Sequence, residues 1–292
     1  MSAREVFAAI AEVLSRGERA ALVTIVRANG STPQRVGARM LVLEDGRTLG
    51  TIGGGCYEND AFQRARVAMR DNRAELVHYD LNDDFAEETG LICGGQMDVF
   101  IEPVAPSPEL YVVGAGHVGY HVARMAAACG FRVHVLDDRE KFASPERFPE
   151  AAEVVVDDIP TWLGHAEMPA GAYVVIATRG HRHDLEALRT VVSRDLTYLG
   201  LIGSRAKVAR LYEQVLAEGN IPADALRRIY SPIGLDIGAV TPEEIAVAIV
   251  AELIAVKYGK VHADGRDATA HSLRWAPPSL EGRDAPRPPS SE

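Results

Sequence analysis

Leu110-Tyr-Val-Val-Gly-Ala-Gly-His-Val-Gly119 joins a short apolar run to a Gly-x-Gly-x-x-Gly string, and helical spacing follows at once from Tyr120 to Cys129. A glycine string alone is weak evidence; its place between a strand and a helix gives it meaning. Gly114 permits a tight turn, Gly116 lets a phosphate approach the backbone, and Gly119 lets helix and strand pack closely, while the helix amides face the anion. Asp137 ends the next apolar run, at the spacing of a carboxylate that accepts from ribose hydroxyls. His117, in the first turn, reads equally as a ligand contact and as an exposed residue.

Downstream, strands read at Glu153–Val156, Tyr173–Ala177 and Tyr198–Ile202, with a helix from Asp184 to Ser193 between the last two. Such alternation predicts a Rossmann-type, doubly wound parallel sheet over residues 110–260. Thr241 as N-cap, Pro242 behind it and Glu243-Glu244 at the positive end start a last helix to Tyr258. Residues 261–292, with five prolines after Ala276, read as a largely disordered tail.

Upstream, Pro103-Val-Ala-Pro-Ser-Pro108 has the composition of a stiff connection, so residues 105–109 are taken as a linker and residues 1–104 as a separate domain. That domain reads as small and α+β. It has an amphipathic helix at Arg4–Leu14, strands at Ala20–Val26 and Ala38–Leu43, and a hairpin turn at Asp45-Gly46 leading through Thr48–Ile52. A helix from Tyr57 to Arg70 and strands at Glu75–Tyr79 and Met97–Glu102 follow, separated by an acidic loop from Asn82 to Glu88.

A formal charge of −10 argues against a general binder of nucleic acid, which needs a positive excess to displace counterions. No apolar run reaches the ~18 residues of a membrane span, and the start carries no signal-peptide pattern, so a cytoplasmic address is expected. Three cysteines, Cys56, Cys93 and Cys129, are too few and scattered for a disulfide framework; Cys129 is expected in the core.

Two glycine loops carry the other thiols. Gly53-Gly54-Gly55-Cys56 places a sulfur at a helix start, where amides and dipole favour thiolate over thiol. Cys93, in Leu91-Ile-Cys-Gly-Gly-Gln96, sits beside paired glycines that open the backbone to a bulky ligand. The spacing falls short of a structural zinc site; soft-metal binding, sulfur carriage and simple packing in glycine turns all stay open. Gly30-Ser-Thr-Pro-Gln-Arg35, followed by Arg39, suits an anion and reads also as an ordinary turn with solvated arginines.

The ordered series resembles the XdhC/CoxI family, accessory proteins of xanthine dehydrogenase and related molybdenum hydroxylases. The matching blocks are Gly30–Met40, Gly50-Thr-Ile-Gly-Gly-Gly-Cys-Tyr-Glu58, Cys93–Pro103, Gly114–Gly119, Val135-Leu-Asp-Asp-Arg139, Thr178-Arg-Gly-His-Arg-His-Asp184, Leu201–Lys207, Ser231–Ala239 and Thr241–Ala246. The resemblance implies a chaperone, more than an enzyme, that binds molybdenum cofactor as cargo and supports its sulfuration with a cysteine desulfurase. It implies insertion of the cofactor into an apo molybdenum hydroxylase of the xanthine dehydrogenase type, without telling that client from related hydroxylases.

On that resemblance Cys56 and Cys93 are the contacts to molybdenum or its exchangeable sulfur, in loops shaped by Gly53, Gly54 and Gly55. Arg35 and Arg39 hold pterin or phosphate. Arg179, His181, Ser204 and Arg205 follow strands at their carboxyl ends, where open α/β sheets bind ligands; helix caps and surface ion pairs are the alternative. A homodimer is expected by analogy with carriers that exchange cargo at interfaces. Two rival readings remain: an oxidoreductase using NAD(P) in the Rossmann cleft, and a sulfur-transfer enzyme with a persulfide on Cys56 or Cys93.

Overall fold

Ser2 opens helix α1 (Ala3–Ser15) with a reciprocal cap, its hydroxyl accepting from the Glu5 N–H while Glu5 accepts from the Ser2 N–H. The chain, described by a computed structural model over residues 2–81, 94–219 and 221–260, divides after Pro106 into two compact units. The expected acidic loop, Cys93 and the C-terminal tail lie outside the described residues.

In the first unit β1 (Ala20–Asn29), β2 (Arg39–Leu43), β3 (Thr48–Gly50), β4 (Glu75–Asp80) and β5 (Gln96–Val104) form an antiparallel sheet in the order β3-β2-β1-β5-β4. Ala20 and Leu22 of β1, with Leu41 and Leu43 of β2, pack on Val6 and Val13 of α1. The intervening Ala21, Val23, Ile25, Met40 and Val42 pack on Ala61, Ala65 and Ala68 of α2 (Gly55–Asp71). Burial on both faces is why β1 reads as a continuous apolar run instead of an alternating one. The hairpin expected at Asp45-Gly46 forms, with Met40 opposite Gly50 and Val42 opposite Thr48. Pro103, expected in the stiff connection, instead pairs with Ala21 inside β5. It is tolerated there because β4 begins at Glu75, opposite Ile101, and does not extend to Pro103.

The second unit strings β6 (Glu109–Val113), α3 (His117–Ala128), β7 (Arg132–Asp137), β8 (Glu153–Val156), α4 (Ile159–His165), β9 (Ala172–Ile176), α5 (His181–Val191), β10 (Leu196–Leu201), α6 (Arg205–Glu218), α7 (Ala223–Arg227) and α8 (Pro242–Lys257). Its strands are all parallel, in the order β10-β9-β6-β7-β8. The expected Rossmann-type sheet is therefore present, with its topological switch between β6 and β9. Leu163, Leu188 and Val215 of α4, α5 and α6 cover one face, and Val122, Ala126, Ile249 and Leu253 of α3 and α8 cover the other. Tyr230 extends the β10 edge, accepting from the Leu201 N–H at 2.9 Å and donating to Leu199 O at 2.8 Å.

Helices α4, α6 and α7 were not anticipated, although α6 carries both of its local signals, Ser204 as N-cap and Gly219 in the left-handed C-cap. Cys129 corrects another expectation: it is the C-cap of α3 and is exposed, because the apolar face of that helix runs through Val122, Ala123 and Ala126. Among the described residues no helix is long and apolar enough to cross a membrane.

Gly119 decides how closely α3 lies on the sheet. A Cβ there would stand 1.8 Å from the Gly114 carbonyl oxygen, which no rotamer relieves. Gly119→Ala is expected to cost about 4 kcal/mol or more and to abolish a cooperative thermal transition of this unit. Gly116 is different: its φ of −66° suits any residue and a Cβ would meet nothing within 4 Å. Gly116→Ala is expected to leave stability within about 1 kcal/mol of wild type in the same denaturation experiment.

Candidate functional site

Three of the sequence motifs converge at one end of the first sheet. β1 ends at Asn29 and β5 begins at Gln96, its register partner, so Gly30-Ser31 and Gly94-Gly95 leave the sheet side by side. A Cβ on Gly95 would lie 2.4 Å from Ser31 O and 2.7 Å from Asn29 O. The loop then carries Pro33 onto the third motif, where a Cβ on Gly53 would meet the Pro33 ring at 2.5 Å. Gly30-Ser-Thr-Pro33, Gly53-Gly54-Gly55 and Gly94-Gly95 thus lie backbone against backbone or ring, at distances that only glycine permits.

Cys56 follows in the first turn of α2, half-buried, with its sulfur side packed on the cluster that holds Ala61 and Met97. Glu58, one residue beyond Tyr57, reaches back over the loop. Its Oε2 accepts from the N–H groups of Ile52 (2.9 Å), Gly53 (3.2 Å) and Gly54 (3.0 Å), and from the Thr51 hydroxyl. Burial opposes the charge of this carboxyl, but the Thr51 hydroxyl and the three amides outweigh it and hold it below the usual carboxylate range. Glu58 was not singled out from sequence. An acidic side chain in the first turn behind a glycine run is the signal that would have found it.

Of the two arginines expected here, Arg35 is exposed in the loop beside Pro33. Arg39 points the other way. It shares the α1 face of β2 with Leu41 and Leu43, donates to Gly37 O at 3.0 Å and lies 5.3 Å from the Phe7 ring centroid. The sheet therefore separates Arg39 from Cys56, whose partners Met40 and Val42 occupy the opposite face. Two-residue strand periodicity causes this.

In the second unit the carboxyl ends of five parallel strands collect the remaining candidates. Gly114 makes the tight turn at φ 112°, where a Cβ would strike Ala177 O at 2.2 Å, so the β6 and β9 ends touch at the switch point. Gly116 caps α3 and Gly180 caps α5; neither uses a side chain, and a Cβ on either would enter open space. His117 and His181, the first residues of those helices, are exposed, as is Arg205 at the start of α6. Ser204 is the N-cap of α6, accepting from the Lys207 N–H at 3.3 Å.

Asp137 is buried and fully engaged. Oδ1 accepts from the Arg139 N–H (3.0 Å) and Nε (2.8 Å), and Oδ2 from the Ala115 N–H (2.8 Å) and a second Arg139 guanidinium nitrogen (2.9 Å). A carboxylate offers about four lone-pair positions, so while Arg139 stays in place none is left for a ribose hydroxyl. Burial raises its pKa, but the Arg139 guanidinium and the Ala115 amide prevail and hold the carboxyl below its usual range.

Asp138 pairs with Arg179 at 2.7 Å. Because β6 lies between β7 and β9, this ion pair passes over the end of β6, across the mouth of the switch-point crevice. Both partners are partly exposed, so the clasp is worth at most about 1 kcal/mol and opens at little cost. Beneath it, Asp184 is fully buried, accepting from the Thr178 hydroxyl (2.6 Å), the Thr178 N–H (3.1 Å) and Lys207 Nζ (2.8 Å). Among the described residues no group of three or more His, Cys, Asp or Glu side chains is arranged to hold a metal ion.

Fold and site together define a protein that joins, in one chain, a cysteine-bearing glycine-loop unit to a Rossmann-type unit. A family model described as XdhC and CoxI matches residues 13–80, and one described as the XdhC Rossmann domain matches residues 110–253. The chain belongs to the XdhC and CoxI family. It is 35% identical over 238 residues to an Escherichia coli protein named YqeB and described as uncharacterized, covering 81% of this chain and 43% of that one. It thus spans less than half the length of that relative. A Bacillus subtilis relative, named as a probable xanthine dehydrogenase subunit, is 27% identical, covering 84% of this chain and 95% of that one. The Escherichia coli molybdenum cofactor insertion chaperone PaoD is 23% identical, at 84% and 86%. A crystal structure from Bacillus halodurans, described as a xanthine dehydrogenase, shares the fold with a TM-score of 0.50 at 24% identity, over 91% of this chain and 98% of that one.

The sign of the Asp137 linkage follows from its lowered pKa. Its contribution is present above the unfolded value of about 3.9 and is lost as pH falls through the depressed folded value. Asp137→Asn is expected to cost about 2 kcal/mol or more at pH 6. The gap in thermal midpoint between variant and wild type should narrow from about pH 4 downward.

Proposed function

We propose that this protein carries molybdenum cofactor to an apo molybdenum hydroxylase of the xanthine dehydrogenase type, after a cysteine desulfurase has supplied the exchangeable sulfur. The observation that carries this reading is the convergence of the three glycine motifs beside Cys56, two of which lie in the region matched by the XdhC and CoxI model. A pterin with a phosphate and a sulfur-ligated metal calls for two things that the chain offers: a soft thiol in an open glycine loop and helix ends that favour anions. Cys56, with Cys93, is assigned to the metal or its sulfur, and Arg35 to the anionic end of the cargo. The name of the PaoD relative, an insertion chaperone, supports the carrier reading.

In the second unit the amide ends of α3 and α5, capped by Gly116 and Gly180, are proposed as the anion-holding edge, with Arg179 free to leave Asp138 for a phosphate. The engagement of Asp137 by Arg139 weighs against NAD(P) held through its ribose and so against the oxidoreductase reading.

Protein purified from cells that make the cofactor should release a fluorescent pterin on oxidation and should raise the activity of an apo hydroxylase above buffer. Absence of both would sink the carrier reading. Cys56→Ser is expected to reduce pterin loading by about tenfold, roughly 1.4 kcal/mol of binding, with a thermal midpoint unchanged from wild type.

A further inference from the structure

The geometry points to Glu58 as the positioning residue of the Cys56 loop: its carboxylate, drawn back from α2, fixes the form in which the loop presents Cys56. The argument begins with the backbone. Gly53, Gly54 and Gly55 have φ values of 131°, 79° and 74°, three successive conformations that other residues rarely adopt. Glycine permits them but does not hold them, since its unfolded freedom is the largest of any residue. Gly54, the N-cap of α2, has no side chain with which to cap the helix.

Glu58 supplies the missing constraint from inside the helix. One oxygen receives donors from four consecutive residues, Thr51 through Gly54, while the Thr51 hydroxyl also accepts from the Gly53 N–H at 3.0 Å. The loop is wound around that oxygen. Two of its residues are also held by side chains, Ile52 in the core and Gly53 against the Pro33 ring, and the carboxylate adds the backbone hydrogen bonds that these contacts do not supply. Hydrogen bonds to an ionised acceptor are about twice as strong as neutral ones, and they converge where the chain is otherwise least constrained. Cys56 stands between this loop and Glu58, so its placement follows theirs. Glu58 needs no contact with the cargo, and its role in loading rests on the carrier reading above.

The test uses the full chain. Residue-resolved hydrogen exchange on wild type should find the amides of Ile52, Gly53 and Gly54 protected at least about tenfold over open-loop rates; exchange at open-loop rates would overturn the assignment without any variant. Alkylation by iodoacetamide, followed site by site by mass spectrometry, reads Cys56 against exposed Cys129 as an internal reference. Glu58→Ala is expected to release the three amides and to speed Cys56 alkylation about tenfold relative to Cys129, with β1 and β5 amides still protected.

Glu58→Gln keeps the reach and one acceptor oxygen but no charge, and should be alkylated faster than wild type and more slowly than Glu58→Ala. Glu58→Ala equal to wild type would mean that Glu58 holds nothing, and Glu58→Gln equal to wild type would mean that the charge of its carboxylate holds nothing; either refutes the assignment. Should Glu58→Ala fail to fold, wild-type exchange and Glu58→Gln still decide. Pterin loading of the same proteins, expected in the order Glu, Gln, Ala, is scored separately: wild type that carries no pterin and activates no apo hydroxylase refutes the carrier reading and leaves the exchange and alkylation results to judge Glu58.

Discussion

The approach of α3 to the Gly114 carbonyl, so close that a Cβ on Gly119 would lie 1.8 Å from that oxygen, is the contact on which the second unit's crevice depends. It brings the start of α3 over the end of β6, turns Gly116 toward open space, and leaves the Ala115 amide facing Asp137. The first unit uses the same device at its own functional end, where Gly95 lies on Ser31 and Gly53 on Pro33. In both places glycine is selected by proximity of backbone, and the freed space is given to a loop instead of a side chain.

A second theme is that the chain satisfies its own anion-seeking amides. Ile52, Gly53 and Gly54 donate to Glu58, and Ala115 donates to Asp137, so each glycine loop closes on an internal carboxylate with a lowered pKa. Such carboxylates order loops that glycine alone would leave loose. Buried Asp184 extends this habit to the β9 and β10 ends, where Thr178 and Lys207 close on it.

Much of this was legible from the residues. The alternation after Leu110 predicted a parallel sheet, and Gly114–Gly119 placed its first crossover, because a strand and the helix behind it declare themselves through local periodicity. The pairing of Gly94-Gly95 with Ser31 was not legible, since it joins segments far apart in the chain. Arg39 shows the limit well: four residues after Arg35 it reads as a second cation for one loop, yet strand alternation sends it to the α1 face. Asp137 shows another. Its position matched a ribose-binding carboxylate, but Arg139, two residues on, takes its lone pairs.

By itself, then, the sequence determined the strands, the helices other than α4, α6 and α7, and the glycine positions, because turns, caps and apolar periods are written over a few neighbouring residues. Only the tertiary structure decided which carboxylate closes which loop, that Glu58 winds the Cys56 loop, and that the sheet parts Arg39 from the thiol. Those outcomes depend on where side-chain atoms meet in space, even between residues a few positions apart, and packing of whole elements sets those distances.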